Sequence, residues 1–307
     1  MELPEIYRRK VLRLEGFGDD EVQRMLRAGD LTPVHRGSYI REAVPEDLDS
    51  RHALRVRAQL GHLDEGAVVS HASAAVLHGL PTWGVRLQRV HVTRDRRNGG
   101  RTRPGLHVHT APLRADDIDL VDGLPVTSVA RTVVDLARTL PFEAAVAVAD
   151  AALHALITEP ERLAALRAAL DEALARSAGW RGSPGARRVV AFADERSGSV
   201  GESRSRVAMA WAGLPVPVLQ WEVFGSAGWI GTVDFGWPRK RTIGEFDGKE
   251  KYGRLLRPGQ NPADAVYAEK LREDALRAEG LSMVRWGWDA LPYFGPTAAR
   301  LWRFLRE

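Results

Sequence analysis

Two short acidic segments on either side of residue 240 constrain the fold of this chain more than any other feature. One covers residues 233–235 and the other residues 243–249, and apolar residues flank the carboxylates in both, as they do in β-strands. Between them, residues 237–241 contain a proline followed by three basic residues, a turn-like break. The pattern predicts two neighbouring antiparallel strands joined by a tight turn.

The register of this hairpin decides what the carboxylates can do. A turn centred between Arg239 and Lys240 places Asp234 directly opposite Glu245, with Cβ atoms about 4.5–5.5 Å apart. Asp247 shares the face of Glu245, because side chains alternate along a strand. Like charges opposite each other destabilise a sheet, and a bound cation would remove that cost. Carboxylate oxygens suit Mg²⁺ or Mn²⁺, so the segment predicts a metal site.

The same residues also allow arrangements without a metal. Glu245 could face solvent and pair with Lys249 or Arg241. Asp247 precedes a glycine, and this dipeptide is common in turns. A shift of one residue in the register would separate the carboxylates. The sequence alone leaves these alternatives open.

The length and amino-acid composition of the chain restrict the class of protein to which it can belong. A chain of 307 residues is expected to hold two or three domains, and 44% hydrophobic with 27% charged residues is typical of globular proteins. The absence of cysteine excludes disulfides, thiol nucleophiles and thiolate metal sites. We expect a cytoplasmic protein without a membrane span, since no run of about 18 apolar residues occurs and the start lacks signal-peptide features. A net charge of +4 permits DNA as a partner.

The N-terminal segment, residues 1–50, has the order of a winged helix-turn-helix. Its pattern predicts a helix over residues 4–14, a second from residue 19 or 20 to residue 28, and a hairpin over residues 31–40. Basic residues on the second helix and the hairpin are candidates for DNA contacts, or else they form a solvated surface. These candidates are Arg24, Arg27, His35 and Arg36.

Residues 51–158 have the pattern of a mixed α/β domain. Strands are predicted at residues 88–93 and 106–110, and helices follow Ser70 and Ser128. Histidines at positions 71, 78, 107 and 109 share a helix or a strand face. They could ligate a metal, but no carboxylate stands at a ligand-like spacing from them, so we expect ordinary structural or exposed histidines.

The remainder divides into two parts. Residues 159–196 predict a helical linker that contains a Gly-, Ser- and Pro-rich loop. From residue 197 to residue 307 the predicted order is helix, three strands, helix, strand, helix.

This order resembles the restriction-endonuclease-like PD-(D/E)XK nucleases, and within them the DUF559 or very-short-patch-repair-like branch. The resemblance covers about residues 197–307. The matching stretches are residues 201–206, 213–217, 233–238, 245–253, 269–277 and 284–286. It implies a restriction-endonuclease-like αβββαβ domain that hydrolyses phosphodiester bonds of DNA with Mg²⁺ or Mn²⁺.

The resemblance also implies roles for single residues. Asp234 and Glu245 would hold the metal. Asp247 occupies the position where the family has its lysine. Lys249, two residues further on, would reach back to the phosphate or the nucleophile; alternatively, Asp247 would be an additional metal ligand and Lys249 only a surface charge.

Helical residues are candidates for the same site. Glu202 would add a carboxylate from the first helix, but Ser199 and Glu202 also form the pattern of a capping box, and both interpretations stay open. Lys270 and Arg272 on the long helix would contact DNA or form a solvated face.

The N-terminal half resembles the AbiEi-type antitoxins of type IV toxin–antitoxin systems. The similar stretches are residues 31–40, 69–75 and 125–136. This resemblance implies DNA as a partner, and a toxin or another protein as a second one. Two functions follow for the whole chain: a metal-dependent DNA endonuclease with an N-terminal binding module, or a non-catalytic DNA-binding regulator with an inactive nuclease fold.

Overall fold

The computed structural model describes residues 3–63, 66–96, 99–226, 228–248 and 262–306, with the side chains of residues 262–266 left aside. The chain forms two compact units. Unit 1 contains Met1–Val148 and Ala164–Ala191, and unit 2 contains Ala149–Leu163 and Phe192–Glu307. The chain therefore passes between the units three times.

The N-terminal part of unit 1 contains two helices and a small sheet. Its elements are β1 (Tyr7–Arg8), α1 (Arg9–Leu14), α2 (Asp19–Ala28), β2 (Thr32–His35) and β3 (Ser38–Ile40). The second helix ends as predicted, because Gly29 adopts a left-handed φ of 83°. The prediction of a helix over residues 4–14 was wrong at its start. Tyr7 instead pairs with Tyr39, which makes β1 the third strand of a sheet with the order β1-β3-β2.

A six-stranded mixed sheet follows in unit 1, with the order β6-β7-β5-β4-β9-β8. Its helices pack apolar side chains against one face, and the shared core includes Val56, Val69, Val92 and Val108. The elements are α3 (Leu48–Leu60), β4 (Ala67–Val69), α4 (His71–Leu77), β5 (Val90–Arg94), β6 (Arg101–Arg103), β7 (Leu106–Thr110), β8 (Ile118–Val121), β9 (Leu124–Thr127) and α5 (Val129–Ala137).

A buried ionic network supports the start of α5. Arg131 is 4% exposed and donates to Asp135 at 2.8 Å and to Asp117 at 3.2 Å. Arg138 also binds Asp135, and Arg176 binds Asp117. Burial raises the pKa of Asp135, although the neighbouring guanidinium of Arg131 opposes that rise. Each buried carboxylate thus has two guanidinium partners, which a buried charge requires.

Three helices carry the chain between the units: α6 (Phe142–His154), α7 (Pro160–Arg176) and α8 (Ser183–Phe192). Residues 149–163, which unit 2 receives from this region, include Asp150. Asp150 is fully buried, accepts a hydrogen bond from the Arg206 guanidinium at 2.6 Å, and accepts another from the backbone N–H of Asp194 at 2.9 Å. Unit 2 therefore depends on a residue from a separate stretch of chain.

Unit 2 has the predicted order of elements. They are α9 (Val200–Trp211), β10 (Val218–Gly225), β11 (Gly228–Trp237), β12 (Thr242–Phe246), α10 (Pro262–Ala278), β13 (Ser282–Trp286) and α11 (Gly295–Leu305). The strands form one sheet with the order β10-β11-β12-β13. The first two pairings are antiparallel, and β12 pairs with β13 in parallel.

Helices cover both faces of this sheet. On one face, Met209 of α9 and Leu301 of α11 share a core with Trp286. On the other face, Leu276 of α10 packs against Ile243. Because side chains alternate along a strand, Glu245 lies on the same face as Ile243, towards α10. No helix of the described residues is long and apolar enough to cross a bilayer.

Candidate functional site

The hairpin between β11 and β12 has the predicted register. Phe235 pairs with Gly244 and Trp237 with Thr242, so the pairing is centred between residues 239 and 240. Asp234 directly precedes Phe235, whose pairing with Gly244 is the one farthest from the turn. Its Oδ2 accepts a hydrogen bond from the backbone N–H of Phe246 at 2.8 Å. The side chain of Asp234 is thus anchored to the backbone of β12, next to Glu245.

Glu245 is held by two arginines. It is 8% exposed, and its Oε1 accepts from Arg272 of α10 at 2.7 Å. Its Oε2 accepts from Nε of Arg285 at 2.7 Å. Arg285 is the direct neighbour of Glu245 in the parallel pairing of β12 with β13. Both carboxylate oxygens therefore have charged partners, which are neither Arg241 nor solvent.

The two arginines also bind glutamates of α10. Arg272 donates to both oxygens of Glu269, at 2.8 and 2.7 Å, and Arg285 also reaches Glu269. Arg285 donates to Glu273 at 3.2 Å. The hydrogen bond from Arg272 lowers the pKa of Glu269, although partial burial opposes this. We call these five residues, Glu245, Glu269, Arg272, Glu273 and Arg285, the arginine–glutamate network.

The arginine–glutamate network determines whether the carboxylates of this site can bind the expected metal ion. In the part of the chain that the structure describes, no three of the acidic side chains bring ligand atoms within 4.8 Å of one another. As arranged, Asp234, Glu245 and Asp247 do not fit a shared divalent cation, because both oxygens of Glu245 are engaged. Glu245 would have to exchange an arginine for the cation before such a site could form.

The remaining residues of the expected nuclease site lie close by. Asp247 is half-buried, and its backbone N–H donates to Trp286 O at 2.8 Å, which extends the parallel pairing. Lys249 lies outside the described residues. Gly201 of α9 packs on Phe246 so closely that a Cβ there would lie 1.9 Å from the ring. The start of α9, with Glu202, therefore sits against the end of β12.

Glu202 acts as the partner of the N-cap in α9. Ser199 donates to Oε1 of Glu202 at 2.7 Å and accepts from its backbone N–H at 3.2 Å. Oε2 accepts from the backbone N–H of Gly198 at 3.0 Å and from the amide of Gln220 at 3.1 Å. Gln220 has a left-handed φ of 49°, a sparsely populated conformation for this residue. Glu202 is 5% exposed, and its carboxylate has the contacts of a helix cap.

The candidate DNA contacts in the N-terminal part lie on the expected elements. Arg24 and Arg27 are exposed on α2, and Arg36 is exposed in the turn between β2 and β3. His35 is half-buried, with its ring 5.4 Å from that of His62. Three of the four candidates are therefore available to a phosphate backbone.

The two candidates on α10 differ from each other. Lys270 is exposed. Arg272 belongs to the arginine–glutamate network, so its guanidinium is engaged with Glu245 and Glu269.

Sequence reasoning did not find Arg285 as a partner of Glu245, and no local signal indicates it, because the two residues are 40 positions apart. It also gave no role to His91. In unit 1, one ring nitrogen each of His71, His91 and His109 lie within 4.8 Å of one another.

Both a family model and individual proteins are similar to this chain. Residues 67–180 match the model of the AbiEi antitoxin C-terminal domain. Two Mycobacterium tuberculosis proteins, "Uncharacterized protein MT2308" (strain CDC 1551 / Oshkosh) and "Uncharacterized protein Rv2248" (strain ATCC 25618 / H37Rv), are each 34% identical over 247 residues. That alignment spans 80% of this chain and 83% of each relative.

A solved structure, that of the RV2827C protein from Mycobacterium tuberculosis, matches at 19% identity with a TM-score of 0.36. The match covers 62% of this chain and 77% of that one. The 34% identity over 80% of the chain shows that it belongs to the same protein family as Rv2248 of Mycobacterium tuberculosis, and within it residues 67–180 form a region similar to the AbiEi antitoxin C-terminal domain.

Proposed function

We propose that this protein is a DNA-binding regulator of the antitoxin kind that operates in type IV toxin–antitoxin systems. The observation that carries the proposal is the similarity of residues 67–180 to the AbiEi antitoxin C-terminal domain. A helix–helix–hairpin segment with exposed arginines precedes this region in the same unit, which is where such a regulator would contact DNA. A toxin or another protein would be its second partner.

The expected DNA contact is electrostatic. Arg24 and Arg27 would meet the phosphate backbone from α2, and Arg36 would do so from the hairpin turn. Each neutralised phosphate releases counterions, so three contacts give a slope of log K against log salt of about −2.7. The exposed guanidiniums position the protein on the duplex, and base reading would come from neighbouring side chains.

Fluorescence anisotropy of the full chain on a labelled mixed-sequence duplex, titrated at several KCl concentrations, tests this proposal. Removing all three positive charges, by replacing Arg24, Arg27 and Arg36 with Gln, should weaken binding and flatten the salt slope by about 2.7, which is about 0.9 for each lost phosphate contact. Arg162→Gln is the matched control, because Arg162 is exposed on α7. Absent binding, or a slope equal in the triple variant and the control, would contradict the proposal.

A second candidate function is a metal-dependent endonuclease in unit 2. The observation that favours it is the sheet β10-β11-β12-β13 with Asp234 and Glu245 on its two central strands. This is the layout that the resemblance to PD-(D/E)XK nucleases implies. Mg²⁺ or Mn²⁺ would neutralise phosphate charge there, with Asp234, Glu245 and Asp247 as the candidate carboxylates.

Plasmid nicking separates the two functions. Supercoiled plasmid is incubated with the full chain and either Mg²⁺ or Mn²⁺, beside Asp234→Ala and the control Glu222→Ala, whose side chain is exposed on β10. We expect no nicking above that of Asp234→Ala. Nicking by the wild type and by Glu222→Ala that disappears in Asp234→Ala would establish the nuclease and overturn the non-catalytic assignment.

A further inference from the structure

Four imidazole rings lie together on one face of the unit 1 sheet, far in sequence from the carboxylates of unit 2. His91 belongs to β5, while His107 and His109 belong to β7. His71 is the first residue of α4. Nδ1 of His91 and Nε2 of His109 are 3.0 Å apart, and the ring centroids of His71 and His109 are 3.7 Å apart.

The fold brings these rings together through parallel pairing. β5 and β7 pair without a shift, so that His91 stands beside His107 and Thr93 beside His109. Odd-numbered residues of both strands therefore share one face, and His91 meets His109 diagonally across it. His71 joins them because α4 begins directly after β4, the other neighbour of β5.

The backbone of His71 is held in an uncommon conformation. Its φ is 51°, in the left-handed region that non-glycine residues rarely adopt. Such conformations persist only where the surroundings enforce them, and they cluster at functional sites. A polar contact also holds the His71 ring in place. Nδ1 of His71 is 3.1 Å from Oγ of Ser70, and this hydroxyl accepts a hydrogen bond from Thr93 at 2.8 Å. A hydrogen-bonded outer partner of this kind orients histidine ligands in metal sites.

The rings are in the form that binds metals. Burial lowers the pKa of His71 well below its ordinary value, that of His91 to about 4, and that of His109 to about 2, and the neighbouring rings add to the effect. Neutral imidazole offers a lone pair on one nitrogen. The guanidinium of Arg131 also lies near enough to disfavour a charged His71.

We propose that His71, His91 and His109 form a binding site for a divalent transition metal of the Zn²⁺ class, with three imidazole ligands and one open position. Imidazole ligands suit zinc, copper and nickel. In a tetrahedral zinc site with bonds of about 2.0–2.1 Å, ligand nitrogens stand roughly 3.3 Å apart. The three ring nitrogens already lie within 4.8 Å of one another. The rings of His71 and His109 are stacked with an angle of 13° between their planes, so one of them has to turn before both lone pairs can meet the same metal.

The open position has access to solvent. All three histidines line a cavity of about 520 Å³, together with Arg86 and Arg89. A metal can enter through this cavity, and its arginines would favour an anion or a hydroxide as the fourth ligand. A set of three histidines with an exchangeable fourth position is the arrangement that keeps a zinc site reactive.

Direct metal titration tests the site without any activity assay. The full chain, free of a polyhistidine tag and stripped with EDTA, is titrated with Co²⁺ and followed by visible absorption, and Zn²⁺ is then added in competition. We expect one Co²⁺ per chain with the intense absorption of tetrahedral coordination, displaced by one Zn²⁺. Zn²⁺ should also raise the melting temperature, because it binds the folded state.

Four variants identify the ligands. His91→Gln and His109→Gln should each weaken Zn²⁺ binding by at least about 100-fold, more than an outer-partner change costs. His71→Asn should do the same while keeping a residue type that tolerates the left-handed backbone, so its fold is preserved. His107→Gln is the matched control, as its ring is 3.9 Å from that of His109 but outside the group of three. Circular dichroism verifies folding of each variant.

Several results would overturn the proposal. Wild type that takes up no Co²⁺, or shows only the weak absorption of octahedral surface sites, has no such site. Equal affinities in wild type and in the three ligand variants would mean that other groups bind the metal. A loss in His107→Gln as large as that in His91→Gln would refute the assigned ligand set.

Discussion

Replacing Glu245 with Gln distinguishes a carboxylate neutralised by arginines from a carboxylate crowded by other acids. Both oxygens of Glu245 accept hydrogen bonds from guanidinium groups at 2.7 Å. Glutamine keeps one acceptor and presents an NH₂ group to the other guanidinium, where two donors then oppose each other. Arg272 and Arg285 would also lose one of their negative neighbours.

The size of the effect follows from burial. Removing one partner of a fully buried ion pair costs about 3–5 kcal/mol. Here the side chains of Arg272 and Arg285 are 22% and 29% exposed and keep glutamates of α10, which reduces the cost. We therefore expect Glu245→Gln to lower the free energy of unfolding of unit 2 by about 2 kcal/mol. With typical denaturant slopes, the urea midpoint falls by about 1 M.

Tryptophan fluorescence during urea denaturation measures this change, because seven of the nine tryptophans belong to unit 2. Glu222→Gln, an exposed position on β10 of the same sheet, is the control and should stay within about 0.5 kcal/mol of wild type. The sign of the change in unfolding free energy distinguishes the two environments of Glu245. If Glu245 were mainly repelled by Asp234 and Asp247, neutralising it would raise stability, and a raised midpoint would refute the arginine–glutamate network as its principal environment.

Three further changes test the packing and charge of both units. Gly201→Ala should destabilise unit 2 by about 1–2 kcal/mol in urea, since the new methyl group overlaps the Phe246 ring, and adding Phe246→Leu should restore part of the loss; an unchanged midpoint would contradict the close approach. Arg131→Met should cost unit 1 about 3 kcal/mol in thermal unfolding by circular dichroism, because two buried aspartates lose a guanidinium; a change below about 0.5 kcal/mol would exclude that role. The bond from Arg272 holds the pKa of Glu269 below its ordinary value of 4.5, so its contribution to stability is present above pH 4.5 and is lost as the pH falls through the lowered pKa. Urea midpoints between about pH 5 and 3 should therefore depend less on pH in Glu269→Gln than in wild type, and identical profiles would contradict the pairing.

Local signals in the sequence were sufficient for much of the fold. The turn between β11 and β12 was placed correctly, because its proline and basic residues interrupt two apolar strands and fix the centre of the pairing. Ser128 and Ser199 begin helices with their side chains bonded to the backbone N–H three residues later. Gly29 ends a helix because it adopts a left-handed φ at no cost.

The environment of the candidate site could not be predicted in the same way. Glu245 meets Arg272 and Arg285 only because a helix and a strand, 27 and 40 residues further on, return to its side of the sheet. Neither spacing has a sequence signature. The histidine group was missed for a similar reason, since β5 and β7 are parallel and separated by a charged loop and a third strand.

One missed feature did have a local signal. Strands β8 and β9 are joined by Asp122 and Gly123, which have φ values of 50° and 76°. Asp-Gly between short apolar runs is a strong indication of a two-residue hairpin turn. The strands are only four residues long, so their alternation was too brief to stand out without that dipeptide.

The threefold passage of the chain between its units has a practical consequence for anyone who wishes to express the halves separately. No single cleavage point releases either unit whole, since unit 2 takes residues 149–163 from a stretch that lies between two parts of unit 1. A fragment that starts at residue 197 would lack Asp150 and leave Arg206 without its buried counter-charge. Reassembly of such a fragment with a synthetic peptide of residues 149–163 would be the way to recover its native stability.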